Sequence, residues 1–426
     1  MAPGFAADVI IAGAGPAGVA TAVALVRHQG IDPARIACLD RARFPRSKPC
    51  GGGLTGHAGQ ALAALGLALR VPAVACAEGW LVHGGLRRSV RLPRPVHIVR
   101  REDLDADLVA QARGLGIDIR EGEGVAAVTV DRAAGGVSLT TTAGRTLRAR
   151  VLVGADGAGS LVRRQLAASA PAHPPLRLAR LELHAAGDRP PAMIYDFTPF
   201  GAGLRGYVWL FPVPGGRLNV GIMHDPAALP GRALGGRAMS AILADALIRH
   251  GVTLPGTARS WPAWAYHPRV PVAAAHLLCV GDAAGIDGLT GEGIAVGLAH
   301  GPLAAAAIAE ALASGDFRFA HYARTLRRAP VGRDLAIDRW LAGLLYRTED
   351  YRPWLSLMMA DRTVQDLYAA RVSGCDSLAA RKPALLGALG RHIFLGQSRM
   401  VALAAGQARA RLGLGFGPAR WRGRGC

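Results

Sequence analysis

Lysine is almost missing from this 426-residue chain: Lys48 and Lys382 are the only two among fifty basic residues. The formal net charge of +20 would ordinarily suggest a polyanionic partner. Here the charge is carried by arginine in a chain also rich in alanine and glycine, the mark of a GC-rich coding bias. No zinc-finger, homeodomain or RNA-binding signature accompanies it, so nucleic acid is not the expected partner. The six cysteines (Cys38, Cys50, Cys76, Cys279, Cys375 and Cys426) are scattered without a CxxC pair. That spacing offers neither a zinc site nor a disulfide framework, and no metal is expected. Long apolar runs are lacking too. The nearest, His300 to Ala313, is alanine-rich, too short for a bilayer span, and reads as a buried helix. A strand starts at Asp8, which leaves no room for a leader segment, so a cytoplasmic location is expected. What remains, 51% hydrophobic residues and 56 glycines, describes a globular α/β protein of two or three domains.

Asp8-Val-Ile-Ile-Ala12 is a short apolar run bounded by glycine, which predicts a buried parallel strand. Pro16 to Arg27 follows with helical spacing, and Arg35-Ile-Ala-Cys-Leu-Asp40 is a second buried strand. Strand, glycine turn, helix and strand make the βαβ unit that opens a dinucleotide-binding sheet. Asp103 to Arg113 reads as a helix. Val125 to Val153 reads as β-rich, with turns near Gly135-Gly136 and Gly144, and Arg177 to Met223 alternates as a second sheet would. Leu277 to Val280 returns as a buried strand, and Ile294 to Leu312 is a long helix. These readings predict a nucleotide domain over residues 1–165, continued at 276–315. They place a substrate-binding β-sheet domain at 166–275 and a helical region at 316–426.

Gly13-Ala-Gly15-Pro16-Ala17-Gly18 lies between the first strand and the first helix. Gly13 permits the tight turn, Gly15 lets the backbone approach a diphosphate, and Gly18 lets helix and strand pack closely. The diphosphate would face unpaired N–H groups at the helix N-terminus. Asp40, followed by Arg41, ends the second strand where a carboxylate can accept bonds from a ribose. Two later segments repeat a strand–glycine–aspartate logic: Val151-Leu-Val-Gly154-Ala-Asp156-Gly157 and Val280-Gly281-Asp282-Ala-Ala-Gly285. Gly291-Glu-Gly293 then precedes the long helix that starts at Ile294.

These three motifs, in this order over residues 8–315, resemble the flavoprotein family that contains the geranylgeranyl reductases. That family lies within the wider class of aromatic hydroxylases and flavin-dependent halogenases. The resemblance implies FAD in a Rossmann-like, GR2-type domain with a parallel sheet, a second mostly antiparallel β-sheet domain and a C-terminal helical region. It implies that Asp282 binds the ribityl chain and that Asp156 supports the cofactor from behind. The helix after Gly291 and Gly293 would point its positive end at the flavin pyrimidine edge. Arg101 would reach the cofactor, with Arg100 beside it as the alternative. The competing reading of the Asp156-Gly157 segment is a purely structural turn.

Phe44-Pro-Arg-Ser-Lys-Pro-Cys50-Gly51-Gly52-Gly53 resembles the family loop that passes close to the flavin ring, where side-chain-free backbone suits a flat cofactor. Cys50 at its head is a candidate catalytic residue, against the plainer reading of a small buried hydrophobe. In Gly206-Tyr207-Val-Trp209-Leu-Phe211-Pro212 alternate residues share a face. Tyr207, Trp209 and Phe211 would therefore wall a substrate site, Tyr207 and Trp209 with a catalytic part, unless the stripe is ordinary core. The YxWxFP pattern resembles that of geranylgeranyl reductases. It implies reduction of carbon–carbon double bonds in an isoprenoid or prenyl lipid by hydride from reduced flavin N5. An isolated alkene needs an acid as well, and Cys50, Tyr207 and a bound water are the candidates. The alternative is a monooxygenase acting on an aromatic or polyketide-type substrate. Halogenation is disfavoured because the lysine that halogenases carry near residue 80 is absent. No second GxGxxG serves a nicotinamide domain, so NAD(P)H, ferredoxin or a partner reductase are open as electron donors. Ala384 to Phe416 mixes leucine patches with spaced arginines, as an interfacial helix in peripheral membrane contact would. A helical cap on the catalytic domain is the preferred reading.

Overall fold

Four apolar residues ending at a glycine are too few for a helix, and Val9–Ala12 is buried along its whole length as a strand. The computed structural model describes residues 5–131, 135–166, 174–184, 190–228, 234–253, 256 and 258–392. Val9–Ala12 runs parallel to Ile36–Asp40 on one side and to Val151–Gly154 on the other. Asp118–Glu121 and Leu277–Cys279 extend these flanks in parallel. The short strand Ala273–Ala274 closes one edge in the antiparallel sense. Helix Pro16–Arg27 is the first crossover, and it packs on the long helix Ile294–Ser314 through small residues. A Cβ at Gly301 would lie 2.6 Å from Ala20, so the two backbones meet where only glycine fits. This long helix has 21 residues and is apolar enough by length and composition to cross a membrane. The sequence reading of a run too short for a span is therefore corrected, although the helix lies mostly buried inside the protein.

The second sheet has eight strands. In spatial order they are Arg259–Ala263, Leu176–His184, Arg217–His224, Gly206–Val213, Ala192–Asp196, Ala73–His83, Leu86–Val99 and Gly53–Leu54. All neighbours are antiparallel except Ala192–Asp196 and Ala73–His83. Three strands between residues 53 and 99 thus belong to this second sheet. Val125–Asp131, Gly136–Thr141 and Thr146–Ala149 form a separate three-stranded sheet.

Residues 316–392 add helices Tyr322–Arg328, Pro330–Tyr346, Arg352–Ala360 and Arg362–Val372, with a further helical stretch over 382–392. They cap the second sheet. Gln60 Nε2 donates to the Gly374 carbonyl at 2.7 Å and Ser373 Oγ to the Arg94 carbonyl at 2.9 Å. The segment 384–416, read as a helical cap with an interfacial helix as the alternative, lies from residue 393 outside the described residues. Within it Leu385 and Leu389 are buried among the cap helices, while Leu386 is exposed. Cys38, Cys50, Cys76 and Cys279 are free thiols, whereas Cys375 is disulfide-bonded, which its spacing did not suggest.

Candidate active site

Two cavities meet at the junction of the sheets. The larger, about 600 Å³, lies over the C-terminal ends of the parallel strands, where open α/β sheets place ligands. Gly13, Gly15, Pro16, Ala17, Asp40, Arg41, Cys50, Gly51, Arg101, Asp156, Gly281, Asp282, Gly291, Gly293 and Ile294 all line it. Gly13 has φ +104°, and a Cβ there would sit 2.3 Å from the Ala155 carbonyl oxygen, so the turn demands glycine. Gly18 and Gly52 are not in this lining. Gly18 faces the Gly13 carbonyl, as helix–strand packing requires, and Gly52 faces the Val99 carbonyl and lines the second cavity instead.

The polar groups are arranged along this cavity. Asp40 Oδ2 accepts from Ala14 N–H and Oδ1 from Ala42 N–H, both at 2.9 Å, which fastens the glycine turn to the strand end. Arg46 is ion-paired with Asp105 at 3.1 Å and reaches within 3.4 Å of the Cβ position of Gly15. Lys48 Nζ lies 3.4 Å from Asp282. Arg101 faces the cavity with its guanidinium held by two 2.8 Å bonds to Asp105, whereas Arg100 turns away to Glu182, Glu102 and Asp103. Asp156 Oδ2 accepts from Leu161 N–H at 2.8 Å, capping the next helix. Its Oδ1 is buried without a partner, and burial raises its carboxyl above the ordinary range. Arg163 donates to the Ala283 carbonyl at 2.9 Å, tying the two aspartate turns together. A side-chain-free diphosphate cradle and an orphaned carboxylate oxygen are features that FAD fits. The helix at Ile294 adds a first turn with no side-chain cap.

Cys50, Gly51, Leu178, Gly291, Gly293 and Ile294 line both cavities and form the wall between them. The second cavity, about 260 Å³, is lined almost wholly by apolar side chains. Tyr207, Trp209 and Phe211 do share one face and project into it, with neighbouring ring centroids 6.1 and 6.5 Å apart. Tyr195 adds an edge contact to Phe211 at 5.2 Å. The aromatic row touches the glycine loop directly, since a Cβ on Gly51 would lie 3.1 Å from the Phe211 ring. Asn219, the only asparagine in the chain, accepts from Trp209 Nε1–H at 3.0 Å. It donates to the Cys50 carbonyl at 2.6 Å. The opposite wall is the cap, with Leu341, Leu344, Trp354, Leu357, Val364, Leu385 and Leu389.

The turn at residues 287–293 is pinned from all sides. Asp287, fully buried, accepts from Leu289 N–H, Thr290 N–H and the Thr290 hydroxyl. Tyr207 donates its hydroxyl to the Thr290 carbonyl, and Tyr346 donates to the Leu289 carbonyl at 2.6 Å. Glu292 accepts from Thr55 at 2.5 Å and from Arg371 at 2.9 Å, and Arg371 pairs with buried Asp338 at 2.5 Å. Burial raises the carboxyls of Asp287 and Asp338. Of these residues, Asn219 was visible in sequence as a singular residue type beside the aromatic motif. Nothing local marks Arg371 or Asp338, which arrive from the cap.

Comparison with known proteins agrees with this geometry. Residues 6–191 match the FAD binding domain family. The menaquinone reductase of Mycobacterium tuberculosis is 32% identical over 390 residues, covering 80% of this chain and 84% of that protein. The fold is shared with a geranylgeranyl bacteriochlorophyll reductase-like protein of Thermoplasma acidophilum, at TM-score 0.70 and 17% identity over 88% of this chain and 98% of that one. A flavin-dependent halogenase shares it at TM-score 0.63 and 22% identity over 90% and 77%. The chain belongs to the family of FAD-dependent oxidoreductases that includes the mycobacterial menaquinone reductases.

Proposed function

We propose that this flavoenzyme reduces carbon–carbon double bonds in the polyprenyl chain of an isoprenoid lipid. The observation that carries the reading is the apolar, aromatic-walled second cavity, which shares the Cys50–Gly51 and Gly291–Ile294 wall with the flavin cavity. A polyprenyl chain offers only hydrocarbon, and a lining of leucine and aromatic rings recognises it by burial alone, at about 25 cal/mol per Å². The name of the mycobacterial relative points the same way, because menaquinone carries a polyprenyl chain on its ring.

In this reading the backbone at Gly13, Gly15, Pro16 and Ala17 takes the diphosphate and Arg46 adds charge, while Asp40 and Arg41 flank the adenosine end. Asp282 takes the ribityl chain. The uncapped start of the helix at Ile294 stabilises negative charge at the pyrimidine edge. Bound FAD, when reduced, supplies a hydride. The chain itself orients the alkene against the wall and excludes water by closing the cap over it. Electrons enter from NAD(P)H, ferredoxin or another carrier.

The test is anaerobic mixing of reduced enzyme with geranylgeranyl and polyprenyl-quinone substrates. Reoxidation with formation of a dihydro product is expected. Failure of every prenyl compound, together with oxygen-dependent NAD(P)H consumption stimulated by an aromatic compound, would establish the hydroxylase alternative instead.

A further inference from the structure

Alkene reduction needs a proton as well as a hydride, and the cavity is poor in groups that can give one. We propose that Tyr368 is that proton donor; the inference rests on the alkene-reductase reading.

The argument is one of elimination by hydrogen bonding. Tyr207 gives its hydroxyl proton to the Thr290 carbonyl and Tyr346 to the Leu289 carbonyl. Thr55 spends its own on Glu292, whose second oxygen is held by Arg371. Tyr195 turns its hydroxyl to the Met193 sulfur, at 3.9 Å. Gln365 is turned to the Met358 and Met359 carbonyls at 3.1 and 3.0 Å. Cys50 faces the Arg101 guanidinium and accepts from Gly52 N–H at 3.4 Å. Tyr368 differs from all of these. Its ring lines the cavity, and its hydroxyl oxygen is buried without a hydrogen-bond partner.

A phenol withdrawn from water with nothing to bond is costly, by about 1–3 kcal/mol, unless a ligand or a reaction uses it. The Thr290 hydroxyl lies close enough to interact with it, short of a well-formed bond. Thr290 in turn donates its hydroxyl to buried Asp287, so its own proton is spent as that of Thr55 is. Thr290 precedes Gly291, part of the wall between the cavities, so this phenol belongs to the flavin end of the substrate cavity.

The step balances. One alkene carbon receives the hydride, the π pair on the other forms a C–H bond with the Tyr368 proton, and the alkene is reduced by two electrons as the flavin is oxidised. The phenolate regains its proton from solvent once the product leaves.

The test compares wild type with Tyr368→Phe as holoenzymes. A polyprenyl alkene is mixed anaerobically with the reduced forms, and its binding to the oxidised forms is measured by calorimetry. For Tyr368→Phe the expectation is a fall in alkene reduction of at least about a hundredfold, the usual weight of general acid catalysis, with lipid affinity held within about twofold. Alkene reduction by Tyr368→Phe within about threefold of wild type overturns the assignment. So does loss of lipid binding in step with rate, which would make Tyr368 a packing residue. Failure of wild type on every prenyl alkene removes the function and this assignment together, and is recognisable because it precedes any variant.

Discussion

Acidification should loosen the flavin turn through one residue, His300. It lies in the long helix with its ring fully buried, and its Nδ1 accepts the Gly281 N–H at 3.1 Å. An imidazole that accepts at Nδ1 must be the neutral Nε2–H tautomer. Protonation would set a second N–H against that of Gly281. Burial accordingly lowers the pKa from 6.5 to about 4. Between those values the unfolded chain binds a proton that the native protein refuses. Stability is therefore complete above pH 6.5 and falls as the pH drops. The loss amounts to about 2 kcal/mol at pH 5 and about 3 kcal/mol below the native value. His224 is displaced in the same direction, also to about 4, with burial as the main cause, so wild type alone does not isolate the effect. His300→Asn does, because Asn Oδ1 can take the place of Nδ1 as acceptor and does not titrate. Urea midpoints of the two proteins should diverge by about 2 kcal/mol more at pH 7 than at pH 5. FAD release, followed by flavin fluorescence, should track that divergence because Gly281 adjoins Asp282. Parallel stability profiles for the two proteins across this range would refute the reasoning.

Two further outcomes follow from the wall and the cradle. Asn219→Ala leaves the Trp209 indole N–H and the Cys50 carbonyl without partners. It should cost about 2–4 kcal/mol by urea denaturation, and a loss under about 0.5 kcal/mol would show that water replaces the amide. Gly13→Ala forces a Cβ to within 2.3 Å of the Ala155 carbonyl at a φ that side chains avoid. The purified variant should be colourless, with FAD affinity down at least about a hundredfold (about 2.7 kcal/mol) by fluorescence titration.

The cofactor half of the molecule was legible because its geometry is written locally. A positive φ at Gly13 or Gly281, or a backbone contact at Gly18, can be met only by glycine, so the fold leaves that letter at a fixed distance from a strand. The alternation of Tyr207, Trp209 and Phe211 is local in the same way, since a strand of period two leaves no choice of face. The hairpin between Ala73 and Val99 escaped for a definite reason. Pro93 and Pro95 argue against a strand, yet they fall where the pairing slips between Cys76↔Val96 and Glu78↔Arg91, so neither owes the ladder a hydrogen bond.

The apolar second cavity is built by a different rule. Its roof comes from helices more than a hundred residues downstream of the aromatic strand, and each of their leucines is indistinguishable in sequence from a core leucine. Arg371, Asp338 and Glu292 form a buried ionic group only because the cap folds back onto the flavin turn. Removing one member of such a group strands a charge, at about 3–5 kcal/mol. A fold that tolerates that exposure gains a turn at Gly291–Gly293 held between a sheet, a loop and two cap helices. The cap is thereby a wall of the site and a clamp on the flavin turn at once. Variation in its leucines would reshape the second cavity while the glycine-built cradle stayed the same.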